Sequence, residues 1–262
     1  MKENLYCKEE GIEDRNGIFV HDISLASEKE GLIRAYLVTP PGKGPFPGIV
    51  FVHPGLGSRS SFLDEAVTLS RSGAVCLLID APWSDGDQFG RRASGQPQDV
   101  RDWFIEIAAD LQAAVDLMAS LPSVDGNRIA YVGHSMGALF GGLLPEMSRQ
   151  IIALVLMAGV GSFTDIARLN MPSLAGSDLE RYKRIMQPID PIGHIANAVP
   201  TSLFFQFGLR DSFFSRQTFL DYYQAASEPK SIKWYDADHF SLNEAGRADR
   251  IEWLKKVLRI QP

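Results

Sequence analysis

A serine hydroxyl can do nucleophilic chemistry only where the backbone exposes it and a base can reach it. The run "YVGHSMGALFGG", Tyr131 to Gly142, offers one such serine. Ser135 lies two residues after Gly133 and two before Gly137, behind the β-rich stretch from Arg128 to Val132. A chain bent sharply from strand to helix at Ser135 would press positions 133 and 137 together. Glycine has no Cβ to clash there. The new helix would then aim its free N–H groups and positive end at the oxygen chemistry. Gly141 and Gly142 would let that helix pack close to a sheet. The plain alternative is a helix-capping Ser135 among packing glycines.

At neutral pH a serine needs a general base, and the base needs an acid to orient it. His239, in "YDADHFS", follows the last predicted strand, and Asp211, in "FGLRDSFF", follows the one before. Ser135, Asp211 and His239 all lie beyond the carboxyl ends of predicted parallel strands, where such sheets hold their ligands. The competing groups are placed less well. His134 adjoins the serine and cannot swing onto it. His194 precedes the acid, and His21 is on an outer strand. Asp236 and Asp238 sit at a strand end, and Asp190 reads as a turn or cap residue. Two N–H donors must also meet a tetrahedral oxyanion. Met136, directly after the serine, supplies the first. The second comes from "HPGLGS": Pro54 has no N–H, so Leu56 is the choice and Gly55 the alternative.

The elements that must position these groups can be read along the chain. "IFVHDISLAS" and "GLIRAYLVTP" form an antiparallel pair around the turn "EKEG". Then strands "GIVFVHP", "AVCLLIDA", "NRIAYVGHS", "IIALVLMAG", "TSLFFQFG" and "KSIKWYDA" alternate with helices. The helices are expected at Ser61–Ser70, Gln98–Leu121, from Met136 on, Ser215–Ala226 and Asn243–Arg259. The core strands are apolar runs, which suits a parallel sheet covered on both faces. One three-layer α/β domain over residues 1–262 follows. Residues 161–198 separate two strands by an unusually long, Pro- and Gly-punctuated stretch, which reads as a helical lid.

Composition narrows the function classes. The chain has 262 residues, 45% hydrophobic and 22% charged, with net charge −6. It can bury a sizeable core, and no basic face suits a nucleic acid or an anionic membrane. The charged start "MKENLYCKEEGIEDRNG" has no apolar signal region, and runs such as "IIALVLMAGV" are too short to span a bilayer. Cys76 reads as a buried strand residue and Cys7 lies near the terminus, so a reducing cytoplasm is the expected setting.

With the residues in place, the chain resembles the α/β-hydrolases. Within them it is most similar to dienelactone-hydrolase-like and acyl-peptidase-like serine esterases. "GIVFVHPGLGS", "VDGNRIAYVGHSMGA", "DPIGHI", "FGLRDSFFS" and "DADHF" carry the likeness in that family's order. Ser135 stands where the dienelactone hydrolases carry cysteine, and "HPG" replaces the usual histidine-glycine of the oxyanion loop. The resemblance implies an α/β-hydrolase fold with a mostly parallel sheet of about eight strands. It also implies a cofactor-free, metal-free serine hydrolase that cleaves a small carboxylic ester through an acyl-enzyme. Thioester or amide hydrolysis, and a hydrolase-fold receptor with little turnover, are the rival readings. Trp83, Phe163, Phe213 and Phe214 are the candidate pocket residues. Arg91, Arg92 and Arg210 are weaker candidates, for a substrate carboxylate.

Overall fold

A computed structural model of the protein describes residues 7–27, 31–240 and 242–260. The expected turn at 28–30 and the first six residues of the charged start lie outside the described residues. Among the described residues nine strands make one sheet: β1 (Cys7–Asp14), β2 (Phe19–Ser27), β3 (Gly31–Thr39), β4 (Phe46–Val52), β5 (Val75–Ile79), β6 (Val124–His134), β7 (Ile151–Met157), β8 (Ser202–Gly208) and β9 (Lys230–Tyr235). Their order is β1-β2-β3-β5-β4-β6-β7-β8-β9. The first three strands pair antiparallel, and β3 pairs antiparallel with β5. From β5 to β9 every neighbouring pair is parallel.

The ninth strand corrects the expected count of about eight. β1, "CKEEGIED", has a single neighbour, and Lys8 through Asp14 are exposed. A strand that buries neither face needs no apolar pattern, so the sequence shows only a charged start there.

Ten helices surround the sheet among the described residues: α1 (Leu63–Arg71), α2 (Gly86–Ala93), α3 (Pro97–Ser120), α4 (Met136–Gly141), α5 (Leu144–Met147), α6 (Phe163–Asn170), α7 (Gly176–Met186), α8 (Pro191–His194), α9 (Arg216–Ala225) and α10 (Glu244–Leu258). Successive strand residues alternate between two cores, as a period of two requires. Val50, Val52, Leu77, Ile79 and Tyr131 meet α3, α4 and α9 on one face. Ile49, Phe51, Cys76, Leu78 and Val132 meet α1 and α10 on the other. Cys76 is a free, fully buried thiol.

β4 is the first parallel strand. The chain leaves it through α1 for β5 on one side, then crosses through α3 to β6 on the other. That reversal opens a crevice at the carboxyl ends of β4 and β6. The long connection after β7 is helical, formed by α6, α7 and α8. It is tied at its base, where the Ile192 N–H donates to Gly161 O (2.9 Å) and the Phe163 N–H to Asp190 Oδ1 (2.7 Å). Phe163, Tyr182, Met186 and Ile195 join the core on the α3 side.

Candidate active site

Ser135 follows β6 and precedes α4, with φ 52° and ψ −108°. A non-glycine residue rarely adopts positive φ, so the surrounding contacts must enforce it. The Ser135 N–H donates to Met157 O of β7 (2.7 Å), and its carbonyl accepts from the Leu139 N–H (2.8 Å). On either side the chain closes on itself. A Cβ on Gly133 would lie 2.3 Å from Gly137 O, and one on Gly137 would lie 2.3 Å from Val52 O. Beneath, the buried Tyr131 hydroxyl donates to Gly137 O (2.7 Å). The two glycines thus permit the bend for the steric reason the spacing suggests.

Asp211, Ser135 and His239 meet although 104 residues separate the serine from the histidine. Asp211 lies three residues past β8, and His239 four past β9. His239 Nδ1 is 2.6 Å from Asp211 Oδ2, and His239 Nε2 is 2.8 Å from Ser135 Oγ. The other Asp211 oxygen accepts from the Phe213 N–H (2.9 Å) and the Phe214 N–H (3.1 Å). A carboxylate can only accept, so Nδ1 carries the imidazole proton and Nε2 is free to accept from the Ser135 hydroxyl. The His239 and Asp211 side chains are 4% and 2% exposed, so little water competes for these bonds.

The other carboxylates lie elsewhere. Asp236 pairs with Arg210 at the surface. Asp238 Oδ1 caps the Phe240 N–H (3.0 Å). Asp190 is buried against Phe163, and burial pushes its carboxyl up to about 6. Of the arginines named as candidates, Arg210 is engaged by Asp236 and Arg92 lies over the Trp103 ring.

Two histidines whose roles the sequence hides shape the site. His134 Nε2 donates to the His239 carbonyl (2.7 Å). Burial lowers the His134 pKa to about 4, so at neutral pH it is a neutral donor. It holds the backbone of the loop that presents His239. On the other side, the Ala81 N–H and the Ser84 hydroxyl donate to His53 Nε2 (3.0 and 2.8 Å). His53 Nδ1–H therefore donates to Pro54 O (2.7 Å), which also takes the Gly57 N–H (3.0 Å). Burial lowers the His53 pKa, in keeping with this neutral form. These bonds pin the turn Pro54–Gly57. The turn lies beside the start of α4, where a Cβ on Gly55 would be 3.5 Å from Met136 Cγ. Leu56 occupies its middle at φ 32°, with its side chain 90% exposed. A residue type can be read from a sequence; the carbonyl it will meet cannot.

The aromatic candidates separate into two groups. Phe213 is exposed and lies 4.7 Å from the His239 ring, centroid to centroid; half-buried Phe214 lies at 5.8 Å. Trp83 and Phe163 are core residues, which corrects their assignment to a pocket. Trp83 stacks on Phe140 (5.3 Å), Phe163 packs on Phe104 (4.7 Å), and Trp83 Nε1 donates to His53 O (3.2 Å). Large aromatics at strand ends bury more surface inside than at a mouth, and here the interior takes them. A cleft of about 150 Å³ between α3, α5 and the α6–α8 connection has Phe104, Leu143, Glu146 and His194 in its walls, and none of the Ser135 group. Among the described residues no three His, Cys, Asp or Glu side chains cluster to hold a metal ion. No described helix is long and apolar enough to cross a membrane.

Known proteins share this architecture. An acetyl xylan esterase from Paenibacillus sp. R4 superposes with a TM-score of 0.80 at 16% identity, covering 96% of this chain and 89% of that one. Acetyl xylan esterase 1 from Thermoanaerobacterium sp. JW/SL YS485 gives 0.75 at 17% identity, covering 96% and 87%. In sequence, the chain is 27% identical over 173 residues to acyl-coenzyme A thioesterase 3 of Mus musculus. That match takes in 64% of this chain and 37% of the thioesterase, so it spans well under half of the relative. The model of the alpha/beta hydrolase family matches residues 49–254, from the middle of β4 to α10, and the chain belongs to that family.

Proposed function

We propose that the protein is a serine hydrolase that cleaves a small carboxylic ester through an acyl-enzyme. One observation carries this reading: the unbroken line of hydrogen bonds from Asp211 through His239 to Ser135 Oγ. Ser135 Oγ attacks the acyl carbon while His239 Nε2 takes its proton. Asp211 holds the imidazole tautomer and steadies the charge that forms on it. The Met136 N–H at the start of α4 and the Leu56 N–H of the pinned turn hold the oxyanion, with Gly55 as the alternative donor. The tetrahedral intermediate collapses, His239 protonates the leaving oxygen, and the acyl group stays on Ser135. Water, activated by the same imidazole, then releases the acid.

A fluorophosphonate probe should attach to Ser135 and leave the Ser135→Ala protein unlabelled. Hydrolysis of p-nitrophenyl acetate should fall about a thousandfold or more in that variant. Labelling of Ser135→Ala at the wild-type level sinks the assignment. Labelling of Ser135 without turnover of any ester favours a receptor.

Thioester hydrolysis is the second reading, supported by the likeness to the thioesterase. The same triad performs both reactions. Matched acetyl esters and thioesters of one leaving chain separate them by kcat/KM.

A further inference from the structure

In the proposed reaction, His239 Nε2 gives its proton to the leaving oxygen as the bond between that oxygen and the acyl carbon breaks. The leaving group must therefore lie against the imidazole. Its surroundings are aromatic. Phe213 lies 4.7 Å from the His239 ring and Phe240 lies 5.3 Å from it, centroid to centroid. The two phenylalanines meet each other edge to face at 5.4 Å and an interplanar angle of 88°. His239 itself is 4% exposed, yet Phe213 is 42% and Phe240 52% exposed. Phe214, the third ring on the imidazole, is turned inward onto Phe219. Phe213 and Phe240 thus keep apolar faces in water beside the proton donor.

The backbone that carries these rings is held in place before any ligand arrives. The Phe213 N–H donates to Asp211, the same carboxylate that orients His239, and the Phe240 N–H donates to Asp238. Ring electrostatics point the same way, since the faces of both rings carry the negative end of the aromatic quadrupole. A leaving group bearing phosphates would set negative charge against them, whereas an apolar one would cover two exposed rings.

We propose that Phe213 and Phe240 form a leaving-group subsite that takes an uncharged apolar or aromatic alcohol, and discriminates against an anionic carrier. The assignment rests on the serine-hydrolase reading above. It makes the two residues determinants of specificity, with the chemistry left to the triad.

Benzyl acetate and ethyl acetate test it, since they share the acyl group and their leaving alcohols are of similar basicity. 4-Carboxybenzyl acetate supplies the anionic arm, with the same acyl group and ester linkage as benzyl acetate. In the wild type, kcat/KM for benzyl acetate should exceed that for ethyl acetate by about tenfold or more. The ratio should drop at least threefold in Phe240→Ala and in Phe213→Ala, and approach one in the double variant. Fluorophosphonate labelling of each protein reports separately on the triad. With labelling intact, an equal ratio in wild type and double variant overturns the subsite and leaves the triad standing. 4-Carboxybenzyl acetate turned over as fast as benzyl acetate overturns it too. Absence of both labelling and ester turnover overturns the hydrolase reading, and the subsite with it.

Discussion

On Asp211, one oxygen takes the Phe213 and Phe214 N–H groups and the other takes His239 Nδ1–H. An amide in its place has a single accepting oxygen. Asp211→Asn would turn that oxygen to the two backbone donors and its NH₂ to the imidazole. The proton would then move to Nε2, where it blocks acceptance from Ser135. We expect kcat to fall by on the order of 10³ to 10⁴, with thermal unfolding within a few degrees of wild type. Asp236→Asn removes only a surface ion pair, worth about 1 kcal/mol or less, and should leave kcat within about twofold. A dead Asp236→Asn beside an active Asp211→Asn would reverse the assignment. Asp211 and His239 are legible in the sequence from a residue type and a place after a strand, and Ser135 from these and the spacing of Gly133 and Gly137. Phe240 is not, because its role depends on how a loop turns its ring, and nothing in "DADHFS" encodes that direction.

The elements follow the same division between what is local and what is not. The apolar runs of β4 to β8 are visible because both faces of those strands are buried, whereas the edge strand β9 is only half-buried and carries Lys233 outward. α3 is visible because Val100, Phe104, Ile107, Leu111 and Val115 recur on one side. α2 is hidden, since Gly86 and Gly90 lower its propensity and a segment this short and polar shows no apolar stripe. At α4 the spacing of glycines carries a strong expectation. A Cβ at Gly137 would press on backbone, Val52 O at 2.3 Å, which no rotamer change can relieve. Gly137→Ala should therefore cost about 3 kcal/mol or more and lower the melting temperature by roughly 6 °C or more. Gly55→Ala, whose Cβ would make ordinary contact with Met136 at 3.5 Å, serves as the contrast. Its stability should stay within about 1 kcal/mol of wild type. Calorimetry on both variants decides the matter, and a Gly137→Ala protein as stable as Gly55→Ala would contradict the close approach.

At the scale of the molecule, Asp190 ties the end of the α6–α8 connection to its beginning. Burial first, and Asp165 nearby, raise its carboxyl to about 6. A group whose folded-state pKa is raised holds its proton better in the folded chain than in the unfolded one. Its stabilising contribution is full below about pH 4 and is lost as pH rises through about 6. Asp190→Asn keeps an oxygen for the Phe163 N–H and cannot ionise. Its stability relative to wild type should rise between pH 4 and pH 7.5, by up to about 3 kcal/mol. Urea unfolding of both proteins at the two pH values measures this, and a pH-independent difference refutes it. The sheet itself ends at β1 and β9, and each end is unsuited to extension. Lys8, Glu9, Glu10 and Glu13 stand exposed along β1, and a break in register between Glu9 and Gly11 kinks that strand. On β9, Lys233 is exposed and paired with Asp249. A second chain laid along either border would have to strip water from charged side chains, and along β1 it would also have to follow a broken register. Strand-by-strand polymerisation is thus disfavoured at both borders, and crowding the molecules together in a concentrated solution should not seed fibres from the native state.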